Sequence, residues 1–120
     1  MAGPNAAGKV IEVRFYELSS GSEPVREWLR GLPREERRKI GEDLKDIEFN
    51  WPVGMPTCEK VAPGLWASRT KLRDKREARV FFCLQGRLAI LVHSTIKKDR
   101  KIRKTDKELA LRRAKEVCSR

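Results

Sequence analysis

A chain of 120 residues has room for one compact domain around a single core, so one domain over residues 1–120, ordered from about 9 to 118, is expected to carry the whole function. Hydrophobic residues are 39% and charged residues 38%, with a net charge of +11, which describes a heavily solvated surface over a core built from clustered Val, Ile, Leu and aromatic residues. No apolar run approaches the roughly 18 residues of a membrane span, and Met1 to Gly8 lacks the charged and apolar regions of a secretory signal, so no membrane partner and a cytoplasmic location are expected.

From Lys9 to Leu18, Ile11, Val13 and Phe15 alternate with Glu12, Arg14 and Tyr16, the period of a half-buried strand. Ser19 to Ser22 is a turn-rich break, and Pro24 suits the first turn of a helix, where no amide partner is needed. Val25, Trp28, Leu29 and Leu32 then recur at helical spacing, with Trp28 in the core. After Gly31 to Pro33, a second amphipathic helix over Arg34 to Ile47 carries Ile40, Leu44 and Ile47 on one stripe. Asn50 to Pro56 is a loop, because Pro52 and Pro56 can neither join a ladder nor continue a helix, and Trp51 is expected over the end of the second helix.

Glu59 to Ala62 reads as a short edge piece. Leu65 to Leu72, Ala78 to Leu84 and Arg87 to Ile96 read as an antiparallel meander, divided by Pro63-Gly64, by a charged turn at Asp74 to Arg76 and by Gln85-Gly86. Thr105-Asp106-Lys107-Glu108 matches a helix capping box, and Ala110, Ala114 and Val117 supply the apolar stripe of a last helix behind it.

The charge is unevenly placed. Residues 1–64 hold ten Lys/Arg against eleven Asp/Glu, whereas residues 65–80 hold six against two and residues 97–120 eleven against four. Because the first basic block is interleaved with strand residues, it points to a sheet face held near a polyanion, where lysine and arginine gain by releasing condensed counterions from phosphates. Cys58, Cys83 and Cys118 are odd in number and widely spaced, without close C-x-x-C pairs, so reduced thiols and no zinc are expected, with Cys83 a small core residue.

Strand alternation places Leu65, Ala67, Arg69 and Lys71, with Arg73 at the end, on one face, and Trp66, Ser68, Thr70 and Leu72 on the other. Arg79 and Phe81 oppose Val80 and Phe82, and Ala89, Leu91, His93, Thr95 and Lys97 oppose Ile90, Val92, Ser94 and Ile96. A face shared by Arg69, Lys71, Arg79, His93 and Lys97 is the expectation, and a one-residue slip in any strand would invert its members.

Leu65-Trp66-Ala67-Ser68-Arg69, Arg79-Val80-Phe81-Phe82, Leu91-Val92-His93-Ser94-Thr95-Ile96-Lys97-Lys98, a last helix with Glu108 and Ala110, and the Pro24 to Leu29 stretch together resemble the HigB-like, phage-derived branch of the RelE toxin superfamily, over roughly residues 10 to 117. Arg69, Arg79, Lys97 and Lys98 match the pattern of that family. Ala67 and Ser68 stand where it usually has Glu-Leu, Phe82 where tyrosine is common, Thr95 where phenylalanine is common and Arg103 where proline is frequent.

The resemblance implies an α+β, RelE-like fold: an antiparallel sheet of four to five strands, two N-terminal helices and a C-terminal helix, with helices on one face and a concave RNA-facing surface. It also implies the toxin of a type II toxin–antitoxin system, a ribosome-dependent endoribonuclease acting on messenger RNA. Its partners would be the ribosome, the message and a helix-turn-helix, HigA-like antitoxin, in an oligomeric complex that binds DNA through the antitoxin. In such a reaction a 2′-hydroxyl attacks the adjacent phosphorus while fixed cations stabilise the charge growing on the phosphoryl oxygens.

No cofactor and no metal are expected, since Asp74 and Glu77 are the only acids between Val61 and Lys98 and both fall in or near a turn; cleavage should survive a chelator. Arg69 and Arg79 are first choices for phosphate clamping, because guanidinium is a permanently charged bidentate donor. Lys71 or Lys97 could transfer a proton if crowding by like charges lowers its pKa, and His93 is the one near-neutral acid/base, although a lone strand histidine is more often a packed residue. Lys98, Arg100, Lys101, Arg103 and Lys104 read as RNA-backbone contacts, and Arg73, Lys75 and Arg76 as a solvated turn that also touches RNA. The rival readings are a non-catalytic RNA- or ribosome-binding protein and a module whose basic face binds an acidic protein.

Overall fold

The computed structural model describes residues 8–118; all of Met1 to Gly8 but the glycine lies outside them. The elements are β1 (Glu12–Phe15), α1 (Pro24–Arg30), α2 (Arg34–Asn50), β2 (Cys58–Ala62), β3 (Leu65–Lys71), β4 (Glu77–Gln85), β5 (Leu88–Lys97) and α3 (Lys104–Cys118). The fold is α+β, with three helices on a five-stranded sheet of order β1-β5-β4-β3-β2.

The sheet is mixed, not antiparallel. β2, β3, β4 and β5 form the expected antiparallel set, but β1 pairs with β5 in parallel, Glu12 opposite Leu88 and Phe15 opposite Leu91. No hairpin joins these two strands; the rest of the chain up to β5 lies between them, so turn geometry does not dictate their relative direction. β1 also stops at Phe15, short of the predicted Leu18. It is held from the side by Glu48 of α2, whose carboxylate accepts the Val13 amide at 2.8 Å and whose carbonyl accepts the Val10 amide at 2.7 Å.

Helices cover both faces, not one. Val25 of α1 and Ile40, Leu44 and Ile47 of α2 close a core over Val80, Phe82, Ala89 and Leu91, with Trp51 edge-on to Trp66 and Phe82 at 5.4 and 5.6 Å. On the opposite face Ala110 and Ala114 of α3 pack against Tyr16, Leu65, Ala67, Phe81, Cys83 and Val92. Small residues let α3 lie close to the sheet, and they are also why its stripe is so weak a signal in the sequence.

A bulge at the centre corrects the predicted face of β5. Phe81 pairs with His93 and Phe82 with Leu91, leaving Val92 as the extra residue. Leu91 and Ala89 therefore sit on the α1/α2 side, while His93, Thr95 and Lys97 keep the face of Arg79. Gly86 turns the β4–β5 hairpin at φ 59°, and Asp74 and Lys75 turn the β3–β4 hairpin at φ 63° and 60°, a geometry that asparagine, aspartate and glycine tolerate best.

Two further expectations are overturned. Cys83 and Cys118 form a disulfide tying the end of α3 to β4; sequence spacing could not reveal a pairing created by the packing of α3 on the sheet. Cys58 is free and buried, and burial pushes its thiol up to about 11. The capping box does not form either: α3 starts two residues early, at Lys104 and not Asp106, with the Lys107 amide bonded to the Arg103 carbonyl at 3.0 Å, so Thr105 lies inside the first turn.

Candidate nucleic-acid interface

Three cross-strand rows run along the α3 side of the sheet. The first is Ala67, Phe81 and His93; the next is Arg69, Arg79 and Thr95; the last is Lys71, Glu77 and Lys97. α3 begins over the first row and runs on towards Cys83, and the segment 98–103 leading into it crosses the second. The predicted cationic face thus exists as one face, divided between two different coverings.

Under α3, His93 stacks on Phe81 with centroids 5.6 Å apart, and its Nε2 is hydrogen-bonded to the Asp106 carboxylate at 2.8 Å. Asp106, expected in a helix cap, is instead the partner that ties His93 to α3. Nearby, the Tyr16 hydroxyl donates to Glu116 at 2.6 Å, and that hydrogen bond, with burial, raises its pKa. Arg113 lies over the Tyr16 ring at 5.2 Å and donates to the Val92 carbonyl at 2.8 Å.

In the second row both arginines are engaged. Arg79 is 1% exposed: its Nε donates to Glu77 at 2.8 Å, its Nη1 to the Lys101 carbonyl at 3.3 Å and its Nη2 to the Asp99 carbonyl. Arg69 donates through Nε to Glu77 at 3.0 Å, through Nη1 to Glu59 and through Nη2 to the Arg100 carbonyl at 3.1 Å. One oxygen of Glu77 therefore serves both guanidiniums. Burial pushes the Glu77 carboxyl up, but the hydrogen bonds from Arg69 and Arg79 outweigh it and hold the group below the ordinary carboxylate range. The Glu77 hydrogen bond also raises the Arg69 pKa, so its charge is permanent.

A cleft of about 590 Å³ opens beside this pair, between Arg69, Lys71, Glu77, Arg100, Asp43 and the turn at residues 55–57. A second of about 340 Å³ continues it past Lys71 to Lys75, Arg76, Lys98 and Arg100. Lys71, Lys75, Lys98 and Arg100 are exposed, and among the described residues their side chains have no ion-pair partner. Lys97 is half-buried at the end of β5, and Lys101 and Arg103 are exposed on the segment before α3. Lys104 lies 4.0 Å from Glu108. In the β3–β4 turn, Arg76 is paired with Glu36 and Arg73 approaches Glu35 at 3.9 Å, so these two are drawn towards α2.

The structure thus gathers Arg69, Lys71, Lys98 and Arg100 at one groove, and sets His93 apart under α3. Sequence reasoning missed Glu77 as a site residue, although carrying the period of β4 two residues back from Arg79 puts it on the same face. Glu59 had no signal beyond its edge-strand position, and the carbonyls of Asp99, Arg100 and Lys101 had none. Among the described residues no three His, Cys, Asp or Glu side chains gather so as to hold a metal ion. No helix among them is long and apolar enough to cross a membrane.

Compared with known families, residues 27–115 match the one described as Phage derived protein Gp49-like (DUF891). The chain belongs to this family. The Gp49-like family is phage-derived and toxin-like, within the RelE/HigB-type toxin group, and the five-stranded α+β fold is consistent with that group. As a member of a toxin-like family, the protein is expected to have an antitoxin partner. A search among curated proteins found no match.

Proposed function

We propose that this Gp49-like protein is the toxin of a type II toxin–antitoxin system, a metal-independent endoribonuclease that cleaves messenger RNA on the ribosome in the cytoplasm and so halts translation and growth. The observation that carries the reading is the groove in which Arg69, Lys71, Lys98 and Arg100 converge beside a carboxylate that fixes the arginine pair. Phosphate recognition needs permanent, oriented cations, and an ordered groove supplies them at less entropic cost than a solvated tail.

In this reading Lys71 and Arg100 contact the scissile region, Arg69 contributes from the floor of the cleft, and Lys98, Lys101, Arg103 and Lys104 hold flanking phosphates or ribosomal RNA. Arg73 and Arg76 add contacts from the turn. Proton transfer falls to Lys71 or Lys97; His93 would need α3 to shift before it could take part. An antitoxin of the helix-turn-helix, HigA-like kind would cover the groove, in an oligomeric complex that binds DNA through the antitoxin.

One observation favours the rival, a non-catalytic RNA or ribosome binder: His93 is engaged by Asp106, and Tyr16, the sole tyrosine, is engaged by Glu116. The chemistry of the product ends separates the two. Attack by the 2′-hydroxyl forms a new phosphorus–oxygen bond and expels the 5′-oxygen, leaving a 2′,3′-cyclic phosphate and a 5′-hydroxyl. Purified protein added to ribosome-bound message is expected to yield 5′-hydroxyl fragments, unaffected by a transition-metal chelator that leaves magnesium to the ribosome. Intact message at saturating protein would rule out the enzymatic reading and leave the binder.

A further inference from the structure

The segment 98–103 carries Lys98, Arg100, Lys101 and Arg103, a run of like charges that repels itself, yet it crosses the sheet in one defined path. Among the described residues no backbone–backbone hydrogen bond ties it to a strand. What holds it is side chains: Arg79 reaches the carbonyls of Asp99 and Lys101, and Arg69 reaches that of Arg100. Three consecutive carbonyls are thus gripped by two guanidiniums placed opposite each other on β3 and β4. Arg79 serves a carboxylate and two carbonyls from three separate nitrogens of a planar fork, a spread that lysine, with its three donors on one atom, is poorly suited to match.

Resting on the RNA reading of the groove, we propose that Arg79 is a positioning residue: it anchors the 98–103 strap so that Lys98 and Arg100, with Lys71, face the phosphates in a fixed row, and it does not itself touch RNA. Its burial at 1% exposure leaves no surface for a phosphate, and each of its three nitrogens already has an acceptor. Its charge is also locally balanced, since the two arginines face the two carboxylates of Glu77 and Glu59. The net attraction for a polyanion therefore comes chiefly from the cations beyond the pair. Asp99 adds a second, independent brace: its carboxylate accepts the Lys101 amide at 3.1 Å and shapes the strap from within.

The test is the salt dependence of binding to an uncleavable single-stranded 2′-O-methyl RNA, read together with limited trypsin digestion, since the strap is itself a string of tryptic sites. Each phosphate contact on a single strand contributes about 0.7 to the slope of log K against log salt. Arg79→Lys conserves charge, yet it is expected to lower the slope by about two contacts, about 1.4, and to open the strap to trypsin severalfold faster than wild type. An unchanged slope and wild-type trypsin resistance would overturn the anchor role.

A second pair of variants guards against misfolding of the first. Asp99→Ala and Asp99→Asn remove the same charge, but only asparagine keeps the acceptor for Lys101, so alanine should lower the slope and speed nicking while asparagine should not. Equal behaviour of the two would overturn the claim that the shape of the strap sets the phosphate row, and with it the positioning role of Arg79. If wild type binds no RNA even at low salt, the RNA reading fails, and the anchoring claim is then decided by trypsin alone: fast nicking in Arg79→Lys upholds it, wild-type resistance refutes it.

Discussion

Two halves of one sheet face, only one residue pair apart along the same strands, are built on different physics. The row Ala67, Phe81 and His93 is covered by α3 through apolar burial, a disulfide and satisfied polar pairs, while the row Arg69, Arg79 and Thr95 is covered by a basic strap through guanidinium–carbonyl bonds. The first covering is non-directional and additive with area; the second depends on the orientation of a few donors. Stability is thus concentrated under α3 and orientation under the strap, which suits a groove that must hold its cations in place yet meet a ligand.

The largest expected effect lies in the apolar half. Phe81→Ala removes a fully buried ring and should cost about 3–5 kcal/mol in denaturant unfolding, with the trypsin sensitivity of the strap unchanged below the unfolding transition. Reducing the Cys83–Cys118 disulfide, which joins residues 35 apart in sequence, should cost about 4 kcal/mol. The comparison breaks if reduction also loosens the strap.

Glu77→Gln addresses the ionic half. It should cost about 2 kcal/mol, less than a fully buried pair because the carboxylate is partly exposed. Unlike Phe81→Ala, it should open the strap. The pH dependence has a definite sign: the folded Glu77 carboxyl lies below its ordinary value of 4.5. Its contribution is therefore fully present above that value and is lost as pH falls through the lower folded pKa. Stability curves of wild type and Glu77→Gln, measured by urea unfolding, should converge below pH 4.5; curves that stay parallel would show that the carboxylate is not coupled to folding. The smallest effect is Thr95→Val. Among the described residues the Thr95 hydroxyl, buried beside Arg79, has no hydrogen-bond partner, so its removal should be neutral or stabilising by up to about 1 kcal/mol.

The same contrast explains what could be read from the sequence. Alternation in β3 and β4 put Arg69, Lys71 and Arg79 on one face, since one residue's slip would expose Val80 and Phe82, and the register sets Arg69 directly opposite Arg79. The helices showed through Val25, Trp28, Ile40, Leu44 and Ile47, whose spacing is a local property. What stayed hidden depends on contacts between distant segments. The second covered face rests on two alanines, the β5 bulge on one extra valine, the disulfide on the packing of α3, and the strap on carbonyls, which every residue carries. Glu77 and Glu59 read as ordinary surface acids until the strands bring them to the arginines.

The most direct test is cleavage of ribosome-bound message by variants drawn from each half. The account predicts 5′-hydroxyl fragments from wild type and from Tyr16→Phe, which loses only a hydrogen bond to α3, and a loss of cleavage in Lys71→Ala/Arg100→Ala, which strips the groove of two exposed cations while leaving the fold intact. Cleavage by the double variant at the wild-type rate, or intact message with wild type, would contradict it.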